Sequence, residues 1–580
     1  MNKKYESIII IIVLILITMF VSIPLINKTH VDTHDGLSHV SRVIGLAYSL
    51  EENQPFHVIV SRWTNGFGYS WNLFYPPLIT YFCILLKPII ATYSETVEYI
   101  IVILNFITIF GMYGFMKEVT SSKKVSAITA MIYLSAPYRI TDMYVRMALG
   151  EIITLSFLPI LFWGFHNLLY GDKKKDYLIT IGACAILLSH NISSIIVVFI
   201  SFIYFLVNIR KVFNKEIILK LIINVLFICM ITSYFFIPLL ESKNTVDYSC
   251  FEKGFMMNKE NMYKESVHLK QLFIDNFKYG FSYGIENELD GSGDMNFSIG
   301  YPLIIGLMLS PLIIYRLFKN KEEKNNYLYY LGMGLFCMFL TTFYFPWNKL
   351  PDFFSFIQVP YRFLMPTIFL LSVSTGLAIN YEFKNIKIFY LLIILGFLVI
   401  YIYPYFNNLI YNKEYSEYPL LTENNSNLTC ANYEYLPYKA RTNMDYISNR
   451  KDNAIIISGK ATIIDEIKDN TQLTFTITDN ESEELIIELP YIYYIGYNVT
   501  LNDRKLDLHE SDKGFIEITI NDKENGEVEV SYTGTTLMKV SRIVSILSTV
   551  VFVVYALYDK ERLSKIVNKA KGLANWKKKA

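Results

Sequence analysis

Charged residues are scarce in this sequence, and several common motifs are missing from it. Only 18% of the 580 residues are Asp, Glu, Lys or Arg, against roughly 25% in soluble globular proteins. The six cysteines form no Cys-x-x-Cys pair, which argues against a zinc or iron–sulfur site. No Walker loop, Rossmann fingerprint or Gly-x-Ser-x-Gly elbow is present. These absences argue against an ATP-driven pump and against a cytoplasmic pocket for a nucleotide-sugar donor.

The apolar residues instead form repeated runs of about twenty, the length that an α-helix needs to cross a bilayer. The first run follows Lys3 and Lys4 and has no small-residue cleavage site, so we interpret it as an uncleaved helix. Further runs predict eleven spans in all, at 7–26, 97–116, 152–170, 177–190, 192–209, 217–240, 299–317, 327–345, 363–380, 387–406 and 538–558.

Basic clusters between these runs predict the topology, because Lys and Arg concentrate on the cytoplasmic side. Two shorter apolar segments, 73–90 and 126–138, remain, and parity allows only one of them to cross fully. Pro76 and Pro77 favour 73–90 as the segment that does not cross. The sequence thus predicts about twelve crossings in the cell membrane, with both termini cytoplasmic.

Polar segments divide the chain into three regions. Residues 1–406 form the predicted transmembrane region, and residues 538–580 form a final helix with a basic cytoplasmic tail. Between them, residues 407–537 contain stretches of alternating apolar and polar residues separated by Asn, Asp and Gly, which predict an extracytoplasmic β-sandwich-like domain. The other segments predicted to face the exterior are 27–72, 139–151, 241–298 and 346–362.

The first outer loop holds the densest group of ionisable residues, namely Asp32, His34, Asp35, His39 and Arg42. If Asp35 begins a helix, Asp35, His39 and Arg42 share one face of it. Asp35 can then act as a general base, or bind a divalent cation together with His39. The third alternative is a solvated helix that Asp35 caps.

Four arginines in the outer segments are candidates for binding phosphate, because the guanidinium group matches phosphate oxygens. Arg62 lies in the first loop, Arg139 and Arg146 follow Tyr138 in the second, and Arg362 follows Gln358 in the fourth. Two of them have a structural alternative: Asp142 and Arg146 have the spacing of a helical ion pair, and Arg362 can extend to the membrane surface. His190 is a candidate at a helix end, where a capping role is the alternative.

Several motifs together resemble a family of bacterial multi-spanning proteins, labelled "membrane protein, 6-pyruvoyl-tetrahydropterin synthase-related". That label borrows the name of a soluble enzyme and does not describe the activity of the family. The resemblance covers residues 30 to 555 and is carried by His34–His39, Arg62–Pro77, Ser135–Glu151, Gln358–Phe363, Tyr433–Pro437 and Leu489–Tyr497.

The architecture of this family is similar to that of the GT-C membrane glycosyltransferases. The resemblance implies an all-α polytopic fold and sugar transfer from a polyprenyl-phosphate donor to a cell-envelope glycopolymer. It implies a base at Asp35, with Asp32 as a second candidate, and a further acidic residue at Glu151 or Asp142. We expect no cofactor, although the divalent cation remains open, and the net charge of +1 gives no reason to expect nucleic acid. A flippase or exporter of a lipid-linked glycan and a non-catalytic assembly factor are the alternatives.

Overall fold

A computed structural model describes residues 3–26, 33–54, 56, 58–90, 92–252, 259–276, 295–319, 325–383, 386–411 and 433–558. Helices dominate, as predicted. The first half of the chain contains α1 Lys3–Val21, α2 Ile23–Ile26, α3 Gly36–Glu51, α4 Trp71–Phe74, α5 Leu78–Leu86, α6 Tyr93–Thr120, α7 Lys123–Leu134, α8 Pro137–Thr141, α9 Leu149–Tyr170, α10 Tyr177–Leu187 and α11 Asn191–Val207. The second half contains α12 Ile209–Val212, α13 Lys215–Thr245, α14 Lys259–Lys264, α15 Leu269–Phe273, α16 Tyr301–Lys319, α17 Asn325–Thr341, α18 Leu364–Glu382, α19 Phe389–Tyr411, α20 Tyr438–Thr442, α21 Met444–Asn449 and α22 Thr536–Leu557.

Eight helices of the described chain are long and apolar enough to cross a membrane. They are α1, α6, α9, α13, α16, α18 with the turn before it, α19 and α22. The predicted spans at 177–190, 192–209 and 327–345 are also helical, but α10, α11 and α17 have only 11, 17 and 17 residues. The prediction of a membrane protein therefore agrees with the helices.

The two short apolar segments both form helices shorter than a bilayer core requires. Helix α5 has 9 residues and begins immediately after Pro77, and α7 has 12 residues, with its first turn capped by Ser122. A span needs about twenty residues at 1.5 Å each. Every residue from Val125 to Leu134 is buried, so α7 lies within the helical core.

Four ion pairs join several of the predicted cytoplasmic segments at one end of the helical bundle. Lys124 at the start of α7 pairs with Glu6 in α1, at 3.6 Å. Lys175 pairs with Glu118 at the end of α6. Lys173 pairs with Glu216 at 2.5 Å and Lys220 with Asp176 at 3.1 Å. These ion pairs bring together segments whose basic residues were predicted to share one side of the membrane.

The C-terminal region forms two antiparallel sheets. The strands are β1 Ile455–Ser458, β2 Thr462–Asp469, β3 Gln472–Thr478, β4 Glu484–Ile492, β5 Tyr497–Leu501, β6 Arg504–Lys505, β7 Leu508–Glu510, β8 Phe515–Asn521 and β9 Gly526–Tyr532. One sheet has the order β1-β4-β8-β7 and the other β2-β3-β9-β5-β6. Alternating apolar side chains of both sheets, such as Phe475 and Ile518, belong to one core.

This core also includes the first outer loop, which the sequence had assigned to the transmembrane region. Val60 and Tyr69 form a β-bridge, and the turn between them carries Phe67 into the core of the β-sheet region. The ring of Phe67 lies edge-on to Phe515 at 5.2 Å, and its carbonyl accepts a hydrogen bond from Ile492 N at 3.0 Å. The division at residue 407 is therefore incomplete, because the β-sheet region folds around a segment that precedes it by more than 300 residues.

Replacement of Phe67 by alanine is expected to loosen this attachment. Phe67 is 1% exposed, and Phe→Ala in a core typically costs about 3–5 kcal/mol. We expect a clearly lower midpoint of thermal unfolding for Phe67→Ala in detergent and faster proteolytic cleavage of the first loop. Phe213→Ala is the control, since Phe213 is 75% exposed. Equal midpoints for the two variants would contradict the proposed attachment.

Candidate functional site

A cavity of about 1040 Å³ lies where the helical bundle meets the β-sheet region. Its volume matches the upper range of small-molecule sites. Polar side chains from several segments reach its wall: Asp35, Ser38, His39 and Arg42 at α3, His190 and Asn191 at α11, Lys243 at the end of α13, Glu252, Lys259 at the start of α14, Asp352, Ser355, Gln358 and Arg362 before α18, and Glu434 beside Tyr435. Aromatic rings complete it, including Trp71, Phe74, Tyr75, Phe251, Phe353 and Phe356.

Asp35 lies at the start of α3, as predicted, but its carboxylate does not cap the helix. Thr33 Oγ1 accepts the Gly36 N–H instead, at 3.2 Å. The backbone N–H of Asp35 donates to the Arg146 carbonyl at 2.9 Å, which fixes the residue against the second predicted loop. The structure therefore does not support the capping alternative, and the carboxylate lines the cavity.

The position of Asp35 deep in the cavity, where its surface is accessible but surrounded by protein, is the main influence on its acidity. Loss of solvation raises the pKa of this carboxyl group above its ordinary value, while Arg146 and Arg362 oppose the change. The negative charge of Glu151 also raises the pKa of Asp35. A carboxylate with a raised pKa is a better proton acceptor than an ordinary aspartate, so Asp35 has the character of a general base.

His39 and Arg42 follow Asp35 along α3, and all three line the cavity as the helical spacing predicted. Leu149 N donates to His39 Nε2 at 3.4 Å, and burial lowers the pKa of His39 well below its ordinary value. The Arg42 guanidinium stacks on Tyr75 at 4.1 Å and donates to the Pro76 carbonyl at 2.9 Å. Burial lowers the pKa of Arg42 to about 10, so the side chain stays protonated at neutral pH.

Behind Asp35 lies a buried network of charged residues from the second predicted loop. Arg146 donates to both oxygens of Glu151 at 2.9 Å and also bonds to Asp142. The Tyr138 hydroxyl donates to Glu151 at 3.0 Å. Segment 139–151 was expected to be an outer loop, but its residues are buried, because these contacts satisfy its charges within the protein.

Arg362 joins this network from the opposite side. Its Nε donates to Glu151 Oε1 at 3.0 Å, and its Nη1 donates to the Ile357 carbonyl and to Gln358 Oε1, each at 2.8 Å. Its side chain is 13% exposed and lines the cavity. Arg362 thus reaches the cavity while Glu151 holds it in place.

Some predicted site residues lie elsewhere. Arg139 is fully buried away from the cavity wall and donates to Asn105 and Thr108 at 2.9 and 2.7 Å. Arg62 is exposed and pairs with Glu51 at 3.1 Å. His34 is exposed and does not line the cavity. Asp32 lies outside the described residues.

His190 both caps a helix and lies at the cavity. Its Nδ1 accepts the Ser193 N–H at 3.3 Å and so caps α11, while the ring borders the cavity. Burial, assisted by Arg362, lowers the pKa of His190 to about 3. The neutral ring is therefore unsuited to balance the charge of an anion.

The sequence analysis assigned no role to two residues of the β-sheet region that line the cavity. Tyr435 stacks on Phe74 with 5.2 Å between ring centres and an angle of 9°. Glu434, beside it, has a pKa raised by burial. Both belong to the motif Tyr433–Pro437, so the signal was present in the sequence. It did not reveal that this motif folds back over the first loop.

The described residues contain no group of three or more His, Cys, Asp or Glu side chains placed to hold a metal ion. Asp35 and His39 both line the cavity. Within the described part of the chain, no third side chain of these types is placed to bind a cation together with Asp35 and His39.

Comparison with known proteins gives a distant relative. No protein-family model matches the chain. Over 262 residues the chain is 26% identical to an uncharacterized protein of Lactococcus lactis subsp. cremoris strain MG1363. The match covers 44% of this chain and 42% of that protein, so the chain spans less than half the length of this relative. The similarity assigns no function, and the side chains of the cavity are the evidence for its chemistry.

Proposed function

We propose that this protein is a membrane glycosyltransferase of the GT-C type, which transfers a sugar from a polyprenyl-phosphate donor to a cell-envelope glycopolymer outside the membrane. The observation that carries the proposal is the presence of Asp35 and Arg362 on the wall of one cavity. A carboxylate with raised pKa and a guanidinium group are the two parts that this reaction needs. Arg139, one of the predicted phosphate ligands, has no part in it.

Asp35 takes the proton of the acceptor hydroxyl while that oxygen attacks the anomeric carbon. The bond between the sugar and the lipid phosphate breaks, and the departing phosphate gains negative charge. Arg362 stabilises this charge, because a positioned guanidinium is most effective where charge develops in the transition state. A single displacement of this kind inverts the anomeric configuration.

Glu151 and Arg146 act as positioning residues in this proposal. The carboxylate of Glu151 lies between Arg146 and Arg362 and bonds to both. It leaves one side of Arg362 directed toward the cavity. The phenol of Tyr138 completes the environment of Glu151.

The membrane topology belongs to the same proposal. We infer twelve crossings, in which α7 and α10 are short helices of the core and α5 does not cross. The meeting of Lys124, Lys173, Lys175 and Lys220 at one end of the bundle supports a cytoplasmic assignment for that end. The cavity and the β-sheet region would then face the exterior, and the likeness to the family named above is consistent with this arrangement.

The first prediction concerns the base. Asp35→Asn removes the proton acceptor with little change in shape, and loss of a general base typically lowers the rate about 10²- to 10⁴-fold. The measurement is transfer of radiolabelled sugar from a polyprenyl-phosphate donor by purified protein in detergent. Asp445→Asn, at an exposed position in α21, is the control and should keep full activity. Normal transfer by folded Asp35→Asn would refute the role of the base.

The same assay separates an enzyme from a flippase. A flippase requires an intact bilayer, whereas transfer continues in detergent micelles. Wild-type protein that moves the lipid across vesicles but transfers no sugar in micelles would contradict the proposal and favour the flippase.

A second prediction concerns pH. Asp35 must be ionised to accept a proton, so activity should rise as the pH passes upward through its pKa. Loss of solvation in the cavity raises that pKa, and the acid limb of kcat/KM should therefore lie above the value of about 4 that is ordinary for aspartate. A pH–rate profile in which activity persists unchanged down to the ordinary range would argue against Asp35 as the base.

A third prediction concerns the buried network. Glu151→Gln leaves Arg146 and Arg362 without their shared anion, and breaking a buried ion pair typically costs about 3–5 kcal/mol. We expect a large fall in the free energy of unfolding, measured by denaturant titration in detergent. Glu51→Gln is the matched control, because the Glu51–Arg62 pair is exposed and such pairs contribute about 0–1 kcal/mol. Similar values for both variants would show that Glu151 does not hold the site together.

A further inference from the structure

Arg42 is a buried cation on the cavity wall that forms no salt bridge with any of the described residues. It is 1% exposed. Its Nη2 donates to the carbonyls of Pro76 and Tyr75, at 2.9 and 3.3 Å. Within the described part of the chain, its Nε and Nη1 have no hydrogen-bond partner. Two donors of a guanidinium group are thus unpaired in a side chain that lines the cavity.

Two other buried arginines of this protein have carboxylate partners. Arg146 bonds to Asp142 and Glu151, and Arg450 bonds to Glu488 at 2.9 Å. Arg139 donates to the neutral side chains of Asn105 and Thr108, and it lies off the cavity wall. A buried charge without a partner is costly, so proteins normally pair it. Arg42 and Arg139 both lack a carboxylate partner among the described residues, but only Arg42 lines the cavity.

Aromatic rings hold the guanidinium plane in place. Its central carbon lies 4.1 Å from the centre of the Tyr75 ring and 5.8 Å from that of Trp71. Stacking of this kind fixes the orientation of an arginine and leaves its edge free for hydrogen bonds. The side chain is therefore preorganised to receive a planar or tetrahedral oxyanion.

His39, one turn before Arg42, adds a further donor. Its Nε2 accepts the Leu149 N–H, which places the proton of the neutral ring on Nδ1. Nδ1 is buried and has no hydrogen-bond partner among the described residues. The unused polar atoms of His39 and Arg42 are thus all donors, and an anion satisfies such a set best.

Four cationic side chains line the described wall of the cavity, namely Arg42, Lys243, Lys259 and Arg362, and the two arginines have different surroundings. Arg362 lies near Phe353 and Phe356, of which Phe353 is 74% exposed, as suits a lipid phosphate arriving from the membrane. The pKa of Arg42 responds to Tyr435 of the β-sheet region. Arg42 also lies seven residues from Asp35 on one helix face, which is about 10 Å along the axis.

We propose that Arg42 and His39 bind an anionic group, a phosphate or a carboxylate, that the acceptor carries beside the hydroxyl to be glycosylated. The assignment to the acceptor rests on the proposed function, whereas the anion site itself rests on the unused donors. The substrate class is accordingly an anionic envelope glycopolymer, and a neutral glycan is excluded.

Binding of small probes tests the anion site without any turnover. Glycerol 1-phosphate, glucuronate and neutral glycerol are titrated into the purified Asp35→Asn protein by calorimetry. We expect binding of the phosphate, the carboxylate or both, weakened by salt, and no binding of glycerol. The stronger probe identifies the chemistry of the group. Binding of glycerol as tight as that of the anions overturns the proposal.

Variants then locate the site. Arg42→Gln should weaken binding of the anion about 10- to 100-fold, the usual value of hydrogen bonds to a charged group. Arg42→Lys should keep part of the affinity, and Arg62→Gln, at an exposed arginine, should keep all of it. Unchanged affinity in folded Arg42→Gln overturns the proposal.

A measurement on the wild-type protein covers the case in which Arg42→Gln does not fold. Tungstate is a dense analogue of phosphate, and cryo-electron microscopy of the wild-type protein with tungstate should show it beside Arg42. Density beside Arg362 alone overturns the proposal. Sugar transfer separates the two claims: transfer to neutral and anionic acceptors at equal rates refutes this inference only. Anion binding by a protein that transfers no sugar refutes only the proposed function.

Discussion

The carboxylate of Glu151 is the contact on which the geometry of this cavity depends. It lies between two guanidinium groups, those of Arg146 and Arg362, which belong to segments more than 200 residues apart. Through Arg146 the same contact reaches Asp35, whose backbone bonds to the Arg146 carbonyl at 2.9 Å. One buried acidic group thus sets the positions of the first loop, the second loop and the segment before α18.

Charges of this kind are costly away from water, and the protein balances them inside the network. Asp142 and Glu151 together oppose Arg146 and Arg362, so the network carries no large net charge. Asp35 and Arg42 take no part in these ion pairs, and both line the cavity. Groups whose bonding capacity the fold leaves unused are those available to a substrate.

The β-sheet region also helps to position the first loop at the cavity. Arg450 lies over the rings of Phe67 and Phe515, at 5.4 and 4.7 Å, and so clamps the first loop into the core of this region. Phe74, which follows Phe67 in the first loop, stacks on Tyr435 at the cavity. The aromatic residues of the first loop, which can also suit an interfacial belt or a sugar ring, mainly connect the two parts of the protein.

The sequence by itself determined the elements with a strong local signal. Apolar runs marked the long helices, and alternation marked β3 and β8, because both patterns follow from which face of an element is buried. Helical spacing also placed Asp35, His39 and Arg42 on one face. Only the tertiary structure distinguished Arg146, bonded to two carboxylates, from Arg139, bonded to neutral groups, since both arginines belong to one short motif. It also brought Glu434 and Tyr435 to the cavity. Contacts between distant segments depend on how the elements pack, and no local pattern in a single chain records them.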